Sequence, residues 1–547
     1  MKMRILAASL CLLLALTACG QQENTAEPET EPVQTPEYAF TALDTAYDLD
    51  SAEAIVFSES ETKVTVSKAG TYRVSGRCAD GQLYVAAGKD GEVTLILDGL
   101  DLTSSTAPLV VEQAARVTVV LADGSENKLA DGSGYELSVD GSTVDGVIFS
   151  KADLVLTGSG SLTVTGNAAH GIVSKDTLEI TGGSYDITAV KSGVDGKDCL
   201  MIADAKITVT SGTDGLKSSN EEDPDLGYVY VRSGEITIDA GDNGIQAARA
   251  LTVDGGSITV LGSEEALEGA TVTVNGGDLH LTARDDGING AGAPDSSTGG
   301  NGMAADSTAG VEIHDGYVWI DAEGDGVDSN GSLTMTGGVL LVNGPTNSGN
   351  GALDYASDAV ITGGVVMAVG SSGMAASFGP NSTQGVIATA LEPQSGGRTL
   401  ALCGEDGQVL AAFTPSKSYS HLVVSAPGIE DGGTYTICTG TLTGGDENGY
   451  AAEGTLADAA VLAEITMDGL NYGGMGGMFG GKGGGGRGGN FGGFGRVFQG
   501  GEKPEMPEDG ERPEGPGGDQ RRENGELPEM PGDGEMPLPE DPNIKGA

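Results

Sequence analysis

The sequence predicts an all-β protein: a right-handed parallel β-helix, a solenoid of coils of about 22 residues, with a small C-terminal β-cap and a disordered tail. Three observations predict it. First, a phrase of small residue, aliphatic, polar residue, with a carboxylate or amide close by, recurs through the middle of the chain. Its small residue falls at Gly146, Gly171, Gly193, Gly215, Gly244, Ala266, Gly287, Gly326, Ala352 and Gly373. The steps run from 21 to 29 residues, apart from one of 39 between Gly287 and Gly326. Repeats of this length bury their apolar faces only against their neighbours. Second, a phrase of two short alternating runs around a Gly-Gly or Asp-Gly bend lies between these rungs. LEITGGSYDI, LTVDGGSITV, VTVNGGDLHL, VEIHDGYVWI, LTMTGGVLLV and AVITGGVVMA all show it. Alternation gives one face in and one out, and the glycines free the backbone for a corner. Third, the chain holds 92 Gly in 547 residues, 4% aromatics and one Trp, a composition of many short strands joined by tight turns. Each coil is then roughly three strands, and parallel crossovers wind right-handed.

The elements follow in order. Lys2 and Arg4 precede an apolar stretch, Ile5 to Leu16, which is too short for a membrane span and has the layout of an export signal, residues 1–18. Leu16-Thr17-Ala18-Cys19 resembles a bacterial lipoprotein box, which implies cleavage before Cys19 and lipid on its thiol. Residues 19–50 are rich in Glu, Pro and Thr and read as a tether from membrane to folded domain. A shield for the first coil is expected around Thr45 to Lys63, because an open end would expose strand edges. Residues 51–378 form the parallel β-helix, the stretch from Val64 to about Gly134 supplying less regular early coils. Insertions are expected at Asn220 to Asp225 and at Ala291 to Thr308, where the rung spacing lengthens. After Phe378 the periodicity stops, and residues 379–445 read as a β-cap. Residues 446–547, Gly-rich and then Pro/Glu-rich, are expected to be a disordered tail.

Formal net charge is -52. That excludes binding to a phosphate backbone, which needs a basic face, and is compatible with divalent cations. Besides Cys11 and Cys19 four cysteines remain, with no CxxC, and the four His are scattered, which argues against zinc. Cys403 and Cys438 lie in strand-like runs of one segment and can pair; Cys78 and Cys199 read as buried small hydrophobes.

The rungs carry the chemistry. Asp145, Asp214, Glu265, Asp286 and Asp325 stand one position before the small residue, with Asn243 at another rung. Asp195, Glu268, Asp328 and Asp354 stand two positions after it, with Asn289 between two of these. Stacked coils place equivalent residues about 4.8 Å apart. Two carboxylates there repel by about 0.9 kcal/mol in water and about 3.5 kcal/mol at an effective dielectric of 20. A cation between them, or open solvent, relieves this. Hard oxygen ligands in number suit Ca²⁺. The candidate ligands are Glu265, Glu268, Asp286, Asp325, Asp328 and Asp354, with Asp195 and Asp214 as a second cluster. Lys217 occupies the second column after Asp195 and can serve as a salt partner there. Asp or Asn before Gly is also common turn chemistry, so the first column can simply shape corners.

The entry segment GTYRVSGRCADGQLYVAAGKDGEVTLILDGLDLTSS, the LADGSENKLADG run, the TGG coils with DGI/DGV rungs, and FTPSKSYSHLVVSAPGIEDGGTYTICTG carry a resemblance. The chain resembles bacterial cell-surface carbohydrate-binding lipoproteins with a calcium-bearing right-handed parallel β-helix, over about residues 50 to 445. The resemblance implies calcium-dependent, non-catalytic binding of polysaccharide, cellulose or acidic plant cell-wall sugars, by a protein lipid-anchored outside the cytoplasm; a monomer is expected. Two other readings stand beside it. One is a calcium-dependent pectate-type lyase, in which Arg284, or a lysine such as Lys191 or Lys197, removes a proton beside a metal-neutralised uronate. The other is a surface adhesin or scaffold without sugar specificity. Tyr228, Tyr230, Tyr317, Trp319 and Tyr355 are the aromatics near the ladder that could stack on sugar or simply pack.

Overall fold

Short runs of Val, Ile, Leu and Thr that alternate in and out should pair edge to edge wherever their apolar faces share a core. The computed structural model describes residues 38–42, 47, 49–59, 62–293 and 305–473. All of these fall in the unit Met1–Lys482. The expected signal, Cys19, most of the tether and the tail beyond residue 473 lie outside the described residues. Those described form an all-β structure with no helix and a 35-stranded sheet of mostly parallel strands, with smaller sheets of four and two strands.

The parallel strands fall into three rows. In the first, Gly146–Ser150 pairs with His170–Ser174, and the pairing passes on through Val194–Gly196, Leu216–Ser218, Ile245–Val253, Leu267–Val274 and Ile288–Gly290 to Val327–Ser329. The second runs from Asp153–Gly158 through Cys199–Ile202 and Tyr228–Val231 to Ala359–Ile361. The third runs from Ser161–Gly166 through Glu235–Ala240, Asp278–Ala283 and Tyr317–Ala322 to Val365–Gly370. Most partners in a row are one repeat apart in sequence.

This register sets like residues over one another. Ile172, Val194, Leu216, Ile245, Leu267, Ile288 and Val327 form one fully buried aliphatic column. Burying each such side chain is worth about 1.5–3 kcal/mol, so a core poor in aromatics is still well supported. The rung glycines are required by close approach. A Cβ at Gly326 would clash with Val342 Cγ1 and lie 2.5 Å from the carbonyl oxygen of Ala352. At the Gly-Gly bends the reason is conformational: Gly256 has φ +93°.

The structure departs from the expectations at both ends. Glu53–Phe57 and Lys63–Val66 do not form a separate shield; they pair in parallel with Gly70–Cys78 and Gln82–Ala86 as the first strands of the stack. Residues 38–42, expected in the tether, pack on the outside of the second row. Tyr38 stacks on Tyr230 with centroids 4.3 Å apart, and Thr41 donates its N–H and Oγ–H to Glu179 at 2.9 and 2.5 Å. These aromatic and polar contacts outweigh the composition of a free linker. At the far end, Gly373 forms no strand, and Tyr419–Ser425 pairs antiparallel with both Val365–Gly370 and Val386–Gln394, covering the last parallel edge. The cap extends beyond residue 445. Leu456–Thr466 pairs with Thr434–Leu442, and Asn471–Tyr472 with Val386–Gln394, so the tail cannot begin at 446. Cys403 and Cys438 lie in this cap as buried thiols with Sγ atoms 3.5 Å apart.

Candidate metal centre on the carboxylate rows

Beside the buried aliphatic column, on the same strands, a second column runs Val173, Asp195, Lys217, Gln246, Glu268, Asn289 and Asp328. The bridge from Val327 to Leu353 brings Asp354 alongside Asp328. A parallel series of loop residues lies one step before the rungs. The carbonyls of Ser192, Asp214, Asn243, Glu265, Asp286 and Asp325 each accept the N–H of the small rung residue one repeat earlier. The backbone is thereby held by these bonds, which leaves the side chains of the series to other partners.

At one end of these rows, ligand oxygens of Asp325, Asp328 and Asp354 all lie within 4.8 Å of one another. All three are partly buried. Burial, with Asp286, Asp354 and Asp328 beside it, pushes Asp325 up to about 7. Burial together with Asp286 and Asp354 does the same to Asp328. Asp286 reaches about 6 through burial and Asp285, although the N–H of Asp325 donates to it at 2.7 Å. Asp354 is raised by burial. The fold thus makes these charges costly and supplies no lysine or arginine to them among the described hydrogen bonds and ion pairs. The neighbour in the row is Asn289, 9% exposed, whose Nδ2 donates to Glu265 Oε1 at 2.9 Å while its side-chain oxygen is buried without a donor. Three carboxylates and an orphaned amide oxygen are hard ligands of the kind a calcium ion takes.

Glu265 and Glu268 sit farther along. Burial and the adjacent Glu268 push Glu265 up to about 8. Glu268 is held by amides: Gln246 Nε2 donates to it at 2.6 Å, and Asn243 donates to the same oxygen. This pair can extend the cation row, with its protons and amides partly supplying what a metal would.

The Asp195 and Asp214 cluster is organised differently from the expected second metal site. Lys217 Nζ lies 3.0 Å from Asp214 Oδ2, which also accepts from Ser192 Oγ at 3.1 Å. Asp195 accepts from Ser219 Oγ at 3.0 Å and faces Lys175, His170 and Lys217; burial nonetheless raises it. A protein cation, Lys217, is thus already placed against Asp214 Oδ2, while Asp214 Oδ1 is buried without a donor. Ser192 and Ser219 had no evident role in the sequence; the only signal was that Ser192 occupies the acid position of its rung.

Arg284, considered as a base, is bound to Glu264 Oε2 at 3.3 Å and to the carbonyl of Gly241 at 2.7 Å. The aromatics divide. Tyr355 is buried and donates to the carbonyl of Ser377. Tyr228 and Tyr230 are covered by Tyr38. Tyr317 and Trp319 are half-buried on the outer face of the third row, beside His280.

Against known proteins, the family described as carbohydrate-binding domain-containing protein matches residues 60–310. A carbohydrate-binding domain-containing protein of Acetivibrio thermocellus is 33% identical over 261 residues, 47% of this chain and 90% of that protein. A solved structure titled as the polysaccharide lyase-like protein from C. thermocellum, gadolinium derivative, is 33% identical, covering 42% of this chain and 94% of that one, with a TM-score of 0.37.

Proposed function

This chain belongs to the family of carbohydrate-binding domain-containing proteins, and from that premise we propose that it is a calcium-dependent, non-catalytic binder of polysaccharide at a bacterial cell surface. The observation that carries the calcium is the meeting of Asp325, Asp328 and Asp354, in a row whose next residue, Asn289, has a buried side-chain oxygen without a donor. Calcium there would neutralise three carboxylates whose charged forms burial makes costly, and would leave coordination positions for a sugar carboxylate or hydroxyl pair. A chain of net charge -52 binds an acidic glycan against its own field unless cations bridge the two.

We read the three parallel rows as the faces of a right-handed parallel β-helix over residues 51–378. The antiparallel strands after it form its cap, and Cys19 carries the lipid that anchors a monomer outside the cytoplasm. The engagement of Arg284 by Glu264 and Gly241 supports binding over proton abstraction.

The test is retention on immobilised polygalacturonate and on cellulose, in calcium and in chelator, with absorbance of unsaturated product followed in parallel. Retention on polygalacturonate that chelation abolishes, with flat absorbance, is expected. Retention unchanged in chelator would remove calcium from the account, rising absorbance would make the protein a lyase, and no retention on any glycan would favour a scaffold.

A further inference from the structure

The third row carries a second constellation that the carboxylate rows do not use. Strand register places Thr259, His280, Trp319 and Leu341 side by side across four strands, with Asp278 beside Tyr317 in the adjacent pair. These side chains alternate outward, because Leu279, Leu281, Val318 and Ile320 between them fill the core. His280 meets Trp319 and Tyr317 edge to face at 5.9 and 6.0 Å, and Tyr317 meets Tyr450 the same way at 5.9 Å. The loop at residues 446–450 comes over the strands from the cap. Asp446 Oδ1 accepts the N–H groups of Asn448 and Tyr450, which fixes the loop, and Asn448 Nδ2 reaches Tyr317 OH at 2.9 Å and His280 Nε2 at 3.4 Å. Two cavities adjoin here, of about 360 and 540 Å³, sharing His280, Glu447 and Asn448 in their walls. Part of Trp319 packs on the cap's core, and the rest lines the smaller cavity beside Leu261, an aliphatic side chain 60% exposed.

We infer that this groove between the third strand row and the 446–450 loop is a binding subsite for a neutral pyranose chain, separate from the carboxylate rows. The inference rests on the reading that the chain binds glycans, and it assigns where a neutral one sits. Aromatic faces and an exposed leucine match the C–H faces of a pyranose ring. Asn448 and His280 offer both donors and acceptors, and Glu447, Asp446 and Asp278 accept from vicinal hydroxyls. The two cavity walls contain no lysine or arginine among the described residues, so three carboxylates face an incoming chain. A uronate polymer is repelled there; an uncharged one is not. The neighbouring alternative, a purely structural aromatic seam between strands and cap, would not leave these cavities lined by hydrogen-bonding groups.

The chain's single tryptophan is Trp319, so its emission reports this groove alone. The probes are cellohexaose, mannohexaose, laminarihexaose and oligogalacturonate, titrated against the full chain in chelator. A saturable change in emission with at least one neutral oligosaccharide, and none with oligogalacturonate, is expected. Asn448→Ala and Glu447→Ala should each weaken that binding up to about tenfold, the loss of one hydrogen bond to a sugar hydroxyl. Glu447 is exposed, so its variant folds even if His280→Ala or Trp319→Phe does not. Calcium-dependent retention on polygalacturonate should survive all of these changes. No emission change with any neutral chain, or full neutral-chain binding by the Asn448 and Glu447 variants, overturns the groove while leaving the calcium reading in place. Failure of the wild type to bind any glycan, neutral or acidic, with or without calcium, sinks the underlying reading instead.

Discussion

Lys217 Nζ sits 3.0 Å from Asp214 Oδ2, and Lys217 occupies the row position between Asp195 and Gln246. One residue of the ladder therefore supplies, covalently, the positive charge that the lower rungs lack. The Asp214 side chain is only 5% exposed, and its other oxygen has no donor. Lys217→Met should destabilise the fold by about 2–3 kcal/mol, because it strands a buried carboxylate. The double variant with Asp214→Asn should recover most of that loss. Urea unfolding measures both, and an unchanged midpoint in the single variant would contradict the built-in cation.

The rung glycines give a second prediction. A Cβ at Gly326 would press on Val342 and on the backbone of Ala352, whereas at Gly310 the nearest atom is 3.7 Å away and φ is not positive. Gly326→Ala should cost about 1–3 kcal/mol through overpacking. Gly310→Ala should be neutral or slightly stabilising, since it restricts the unfolded chain. Equal thermal shifts for the two would mean that close approach between tiers does not select glycine.

Asp176 provides the pH dependence. Burial, with Asp153 and Asp198 facing it, pushes its carboxyl up to about 6. A raised carboxyl binds its proton more tightly in the folded state than in the unfolded one, so stability falls as pH rises from about 4 to about 6 and stays reduced above. Asp176→Asn should therefore stabilise by about 1 kcal/mol at pH 8, after allowance for solvent screening, and leave stability unchanged at pH 4. Chemical denaturation at the two pH values checks it; a gain at pH 4 equal to that at pH 8 would refute the cause.

The cap thiols Cys403 and Cys438 lie 3.5 Å apart, sulfur to sulfur, in paired strands. Diamide should join them, each thiol giving up one proton and one electron to the oxidant, with a mass loss of two hydrogens that Cys403→Ser prevents. Alkylation of both thiols after diamide treatment and denaturation would contradict this.

Much of this was legible from residue spacing, and the rest was hidden for identifiable reasons. The row from Asp195 through Glu268 and Asn289 to Asp328 could be read because each residue keeps a constant offset from its rung glycine, and parallel pairing converts offset into contact. Lys217 was visible in that row, but spacing alone does not say whether an ammonium turns toward the acids or toward water. Tyr38 was unreadable as a packing residue because its partner Tyr230 is far along the chain and its own surroundings are those of a linker. Likewise the approach of Asn448 to His280 joins positions 168 apart through the return of the cap, which carries no repeat. The strand Leu456–Thr466 escaped because its outward face is largely exposed and alanine-rich, without the alternation that marks the earlier strands.

Calorimetric titration of calcium into metal-free protein tests the central claim most directly, comparing the wild type with the Asp325→Asn, Asp328→Asn, Asp354→Asn triple variant. The account predicts at least one saturable calcium site in the wild type and its loss in the triple variant. Free calcium at a hundred times its dissociation constant should then raise only the wild type's stability, by about 2.7 kcal/mol. The same calcium stoichiometry and affinity in both proteins, or no binding in either, would contradict it.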